Sequence, residues 1–220
     1  MPSSGTRVDR PSGAVAVARR YRRLERPLSG VVALSVGVTA AAALFVLGLV
    51  PGLVVALAVV ALVRVPVFES GGSARLVSGA DPAAVRADVE GPTPPFLAFQ
   101  WGIADEVRPT ADGSAYELSY LFGLRSVRLV TEVRPLGDDG SDADLELVVT
   151  ADGRPWGTYT VSVDGTGDGA VLDVEWESDR RFGLNRLPQW LVAEHYRGDA
   201  LAAQGYAVEE RDASLSAAWR

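Results

Sequence analysis

The 220 residues contain no cysteine and no lysine, and the sole histidine is His195. Without cysteine there are no disulfides, no thiolate metal ligands and no thiol nucleophile. One histidine cannot build the histidine-rich catalytic centres that zinc or non-haem iron normally use. Without lysine every basic side chain is an arginine, and 21 of them against 28 acids leave a net charge of -7. That balance excludes an ordinary nucleic-acid binder, which carries a basic footprint.

Charge is also missing locally. Pro27 to Val63 is a run of 37 residues without an ionisable side chain. Before it, residues 1–30 hold seven arginines and two acids; after it, from Glu69 onward, 26 acids face 13 arginines. The chain therefore reads as a basic disordered tail over 1–27, a transmembrane helical hairpin over 28–68, a Glu-Ser-Gly-Gly-Ser linker over 69–73 and a folded acidic domain over 74–220. An acidic, lysine-free domain suits a very salty cytosol, where carboxylates hold water and mobile cations screen their repulsion.

A membrane helix needs about 20 apolar residues, and a soluble helix is not apolar on every side for so long. As one straight helix the run would reach about 55 Å, nearly twice the hydrocarbon thickness. Pro51-Gly52, near its middle, is a turn signal. The expectation is two spans, about 29–49 and 53–68, with Arg64 snorkelling to the interface. Arg19, Arg20, Arg22, Arg23 and Arg26 precede the first span, so the positive-inside rule places both termini and the domain in the cytoplasm. The rival is a single span kinked at Pro51, with the domain outside; a cleaved or twin-arginine export signal fits the flanking residues less well.

Within the domain, Asp81-Pro82 opens a short helix that Gly91 closes, and a second helical turn is expected within Thr93–Trp101. Period-two alternation then predicts antiparallel strands. Tyr116, Leu118, Tyr120 and Phe122 share one face, and the pattern recurs from Val127, Leu145, Tyr159 and Leu172. Leu187 to about Gln204 predicts a long helix, stopped by Gly205, that lays Leu187, Trp190, Leu191 and Leu201 on the sheet. Tyr206 to Leu215 is one more strand or an extended tail.

This order, with the segments Ala74-Arg-Leu-Val-Ser-Gly-Ala-Asp-Pro-Ala-Ala-Val85 and Asp179-Arg-Arg-Phe-Gly-Leu-Asn-Arg-Leu-Pro188, resembles the START-like or helix-grip superfamily of polyketide cyclases, dehydrases and lipid-transfer domains, over about residues 74–205. The resemblance implies an α+β fold in which a curved antiparallel sheet grips a long C-terminal helix, here preceded by two transmembrane helices. It also implies a cavity between sheet and helix that in many members holds an apolar ligand. The added hairpin does not fit a freely diffusing shuttle.

The cavity candidates are Tyr116, Tyr120, Trp156, Tyr159, Trp176 and Trp190, which pair apolar area with polar handles, and Glu194, whose carboxylate lies within the apolar stripe. Plain core packing is the bland alternative for each aromatic, and an arginine partner or a solvated cavity mouth for Glu194. Asp164, Thr166, Asp168, Gly169 and Glu175 approach calcium-loop spacing, but Thr166 breaks the pattern and strand-like flanks favour a hairpin turn. The acidic run Asp138, Asp139, Asp142 and Asp144 reads as a hydrated loop. No catalytic triad, phosphate loop or carboxylate pair is recognisable, so no catalytic residue, metal or cofactor is assigned. The first functional expectation is a membrane-tethered domain that binds a membrane lipid or other apolar small molecule. A membrane-anchored structural or partner-docking domain, its protein partner unknown, comes next. A cyclase- or dehydrase-like enzyme comes third.

Overall fold

A computed structural model describes residues 8–120, 124–136 and 143–217. Helix α1 (Ser12–Leu47) is continuous with the apolar run and begins well inside the segment that composition marks as tail. Residues 12–27 are ordered because they carry small side chains where a close approach is needed. Ala14 and Ala18 are fully buried, and a Cβ on Gly102 would stand 2.7 Å from that of Ala18. Arg10 donates to the carbonyls of Trp101 and Ala104, at 3.1 and 2.8 Å, and so serves the last orphan acceptors of the short helix α4 (Ala98–Ile103). Residues 1–7 lie outside the described residues.

Gly48, at φ 82°, ends α1, and α2 (Leu49–Arg64) follows at once. The break thus falls before Pro51-Gly52 rather than on it. Pro51 sits in the first turn of α2, where its missing N–H leaves no ladder bond unmade. Gly52 makes the close contact instead: a Cβ there would lie 2.5 Å from Leu44 Cα, so α2 packs tightly back along α1. By length and composition α1 alone, among the described residues, is long and apolar enough to cross a membrane; α2 is a 16-residue apolar helix.

The expected linker is also structured. Strand β1 (Phe68–Ser78) pairs with two neighbours along its length, and Gly72 is needed there, since a Cβ on it would meet the Trp176 ring at 2.6 Å. Helix α3 (Pro82–Glu90) starts as its sequence predicts, with Asp81 Oδ1 accepting from Ala83 N at 2.9 Å. A 3-10 turn (Pro95–Leu97) leads to α4, and then come β2 (Glu106–Pro109), β3 (Gly113–Tyr120), β4 (Arg125–Pro135), β5 (Leu145–Ala151), β6 (Arg154–Thr166) and β7 (Gly169–Glu177). A second 3-10 turn (Leu184–Arg186) precedes α5 (Leu187–Ala202), and β8 (Tyr206–Ala217) follows. The eight strands form one antiparallel sheet in the order β2-β3-β4-β5-β6-β7-β1-β8.

The near-calcium-loop segment is the hairpin turn between β6 and β7, with Thr166 paired to Gly169. Asp138, Asp139 and Asp142, and the strand-face position Phe122, lie outside the described residues. The α+β class and the α5 position follow the sequence expectation, but α5 presents a different side. Leu191 is 60% exposed, whereas Ala200 and Leu201 are buried with Ala193 and Tyr196 packed behind them. The helix is rotated from its most apolar stripe because α1, not the sheet alone, is its partner.

Trp101 is fully buried and donates from Nε1 to Pro94 O at 2.8 Å. Trp101→Ala is therefore expected to cost about 3 to 5 kcal/mol by cavity formation. Trp190 is only half-buried, and its replacement by alanine should cost less than half as much. Urea unfolding of both variants in detergent would rank them; a Trp190 loss equal to that of Trp101 would contradict this core.

Candidate functional site

The hollow between α5 and the β7-β1-β8 end of the sheet is floored by Ala74 and Leu76 of β1 and by Val174 and Trp176 of β7. Tyr159 of β6 and Phe96 form one wall, their rings stacked at 4.9 Å. Leu201 and Arg197 descend from α5, and Arg211 reaches across from β8. The empty space amounts to about 330 Å³ including the open mouth, but the room for water-molecule centres is about 20 Å³, enough for a single water.

Its polar part is one carboxylate between two guanidiniums. Glu194 Oε1 lies 3.1 Å from Arg197 Nη2, and Glu194 Oε2 lies 2.7 Å from Arg211 Nη2 and accepts from Arg211 Nε at 2.9 Å. Arg211 stands over the Trp176 ring at 4.6 Å, and Arg197 over Phe99 at 5.8 Å. Burial, then the neighbouring Arg197 charge, holds the Arg211 guanidinium below its ordinary range, while Glu194 pulls the other way. Although close to Glu194, Arg211 Nη2 is buried without a well-aligned acceptor. The cluster carries one positive charge in excess, and its spare donor capacity lies beside an apolar hollow.

The sequence candidates separate. Tyr159 and Trp176 line the hollow and Glu194 anchors its two arginines, so the arginine-partner alternative holds for Glu194. Tyr116 is fully buried elsewhere, donating to Pro92 O at 3.2 Å. Tyr120 stands half-exposed where the hairpin leaves the domain, Trp156 packs partly buried against the core, and Trp190 lies outside the lining. Arg197 and Arg211 were not legible as site residues, because nothing local distinguishes them from the other arginines. Only the pairing of β8 with β1 carries Arg211 to the hollow, opposite Ala74.

Desolvation raises the hydroxyl pKa of Tyr21, Tyr116, Tyr159 and Tyr206 above the usual tyrosine value. A neutral form favoured by the fold gives stability that is intact below the unfolded value near 10 and is lost as pH rises toward the folded values. Ultraviolet titration should show these four phenols silent until the protein unfolds in alkali. Reversible ionisation of all six tyrosines near pH 10 would show the burial to be wrong.

No family model and no curated protein matches the chain. Among solved structures, it is similar to a conserved protein from Geobacillus kaustophilus (14% identity, TM-score 0.41, 61% of this chain and 91% of that one). A START superfamily protein from Mycobacterium smegmatis is similar at 12% identity and TM-score 0.40, over 62% of this chain and 97% of that one. A protein from Rhizobium loti is similar at 17% identity and TM-score 0.41, over 63% and 96%. The fold assignment rests on the chain's own strand order and helix placement.

Proposed function

We propose that this chain is a membrane-anchored helix-grip domain that binds a small amphipathic molecule between α5 and the sheet. The observation that carries the reading is the two-sided character of α1. Its first turns pack one side on the domain through the buried Ala14 and Ala18, while further on Leu34 is 67%, Phe45 93% and Val46 77% exposed, matched on α2 by Leu49 at 78% and Val50 at 73%. Contiguous bare apolar surface of this kind marks a partner or a lipid medium, and the uncharged, all-round apolar composition fits lipid. Burial of Ala14 and Ala18 holds the start of α1 on the same side as the domain. This supports a hairpin that enters and leaves from one face over a single kinked span, and the arginines of α1 support a cytoplasmic placement of that face by the positive-inside rule.

The hollow supports a ligand with an apolar body and a hydrogen-bond-accepting, preferably anionic, end against Arg211. Anything larger than a water must displace the Arg211 side chain or shift α5 as it enters. Native mass spectrometry of detergent-extracted protein tests both halves of the proposal. A retained small molecule that is lost in Arg211→Gln is the expected result. An empty protein whose spectra and stability ignore added medium-chain fatty acid would defeat the ligand half and favour a partner-docking domain. A chain that needs no detergent would defeat the anchor.

A further inference from the structure

The hairpin leaves the domain at one end of the sheet. The registers Tyr120↔Arg125, Ala151↔Arg154, Gly71↔Glu177 and Thr158↔Glu177 assemble that end from the β3-β4, β5-β6 and β7-β1 termini. The turn before α5 joins it, since Gly183 lies against the carbonyls of Val63 and Val65 at the foot of α2. Most described arginines beyond Glu69 are paired with a carboxylate. Arg125, Arg128, Arg154, Arg180 and Arg186 have no ion pair among the described residues, and all five belong to this end. The same end also carries Glu69 and Glu106, paired with Arg181 and Arg108, and Asp105, Asp152, Glu177 and Asp179, while the opposite end carries Asp81, Asp112, Asp144, Asp164 and Asp168 at the strand termini.

The unpaired charges gather round Tyr120. Arg22 reaches from α1 to donate to Ser119 O at 3.0 Å, Arg125 stands opposite Tyr120 on β4, and the charges of Arg22, Arg186 and Arg180 all act on the Tyr120 hydroxyl, with Glu25 the acid that opposes them there. Burial, followed by Arg186 and, after the opposing pull of Tyr120, by Arg125, holds the Arg180 guanidinium below its ordinary range. Like charges held together are unfavourable, and a domain with twice as many acids as arginines had ample carboxylates to neutralise them. Leu124, 88% exposed, and Leu184 project from the same end, beside the point where α1 passes from core to bare apolar helix.

We propose that Arg22, Arg125, Arg180 and Arg186 form a guanidinium collar at the foot of the hairpin that binds the phosphate groups of anionic membrane lipids. The proposal rests on the membrane-anchored reading, which sets the collar at headgroup depth. Guanidinium planes match phosphate oxygens in pairs. A broad ring flanked by exposed leucines fits several lipids at a surface better than one free anion in a pocket.

The test uses the full chain in dodecylmaltoside, titrated with dioctanoyl phosphatidylglycerol or dioctanoyl phosphatidylcholine, with bound lipid counted by native mass spectrometry. Phosphatidylglycerol should be preferred. The triple variant Arg125→Gln, Arg180→Gln, Arg186→Gln should weaken its binding by about ten- to a hundredfold, while Arg75→Gln with Arg134→Gln, whose arginines are paired elsewhere, should not. A circular-dichroism melt checks that the triple variant is folded, and Arg125→Gln alone, at the exposed start of β4, should move the preference in the same direction. Equal binding of the two lipids, or a preference unchanged in the triple variant, overturns the collar. Displacement by equimolar inorganic phosphate would give the site to a free anion instead. Detergent phase separation run alongside separates the two readings: a chain in the aqueous phase fails the anchor, and a chain in the detergent phase that is indifferent to lipid charge fails the collar alone.

Discussion

Gly102→Val is expected to prise α1 off the domain. The new Cβ would stand 2.7 Å from that of Ala18, closer than two such carbons come, and both positions belong to packed helices. Overpacking of this kind costs about 1 to 3 kcal/mol, and release of Ala14, Ala18 and the Tyr21-Phe99 ring contact at 4.8 Å adds to the loss. Arg19, Arg20 and Arg23 are exposed on α1, so trypsin reports the detachment directly. Faster cleavage at these residues is the expected outcome. Unchanged digestion and an unchanged melt would mean that the helix does not depend on this contact.

The second large effect concerns Glu194. Its removal in Glu194→Ala leaves Arg197 and Arg211, with side chains 23% and 18% exposed, facing one another without a counter-charge. Breaking such a pair when it is fully buried costs about 3 to 5 kcal/mol; partial solvent access lowers the expectation here to about 2 to 3 kcal/mol. Pairing Glu194→Ala with Arg211→Met should recover much of the stability, because the apolar stem still covers Trp176 while the uncompensated charge is gone. Additive losses in that double variant would show that the ion cluster does not couple the three residues.

The domain was legible where local rules and tertiary packing agree. Asp81-Pro82, the period-two strands and Gly205 at φ 88° each carry a local reason that the fold keeps. It was obscured where small residues serve long-range contacts. The alanines and glycine of residues 12–18 look like tail, and Gly71-Gly72 looks like linker, until a partner is seen against them. β2, only four residues long, is too short for its alternation to stand out. On α5 the helical spacing of Leu187, Trp190, Leu191 and Leu201 predicted Leu191 inside, but α1 covers the helix on another side. The aromatic half of the hollow could be found by strand spacing. Its arginine half depends on β8 lying beside β1, and no local pattern encodes that pairing.

The anchored, same-side arrangement is the claim on which the collar and the ligand proposal both depend. The absence of cysteine makes the direct measurement simple: single-cysteine variants at Ser12, at the start of α1, and at Asp168, on the far turn of the sheet, treated with a membrane-impermeant maleimide in intact cells and again after permeabilisation. Protection of both positions until the membrane is opened, with the protein recovered in the membrane fraction, is the predicted result. Labelling of Asp168→Cys from outside while Ser12→Cys remains protected would place the domain across the bilayer from the start of its own helix, and would contradict the account.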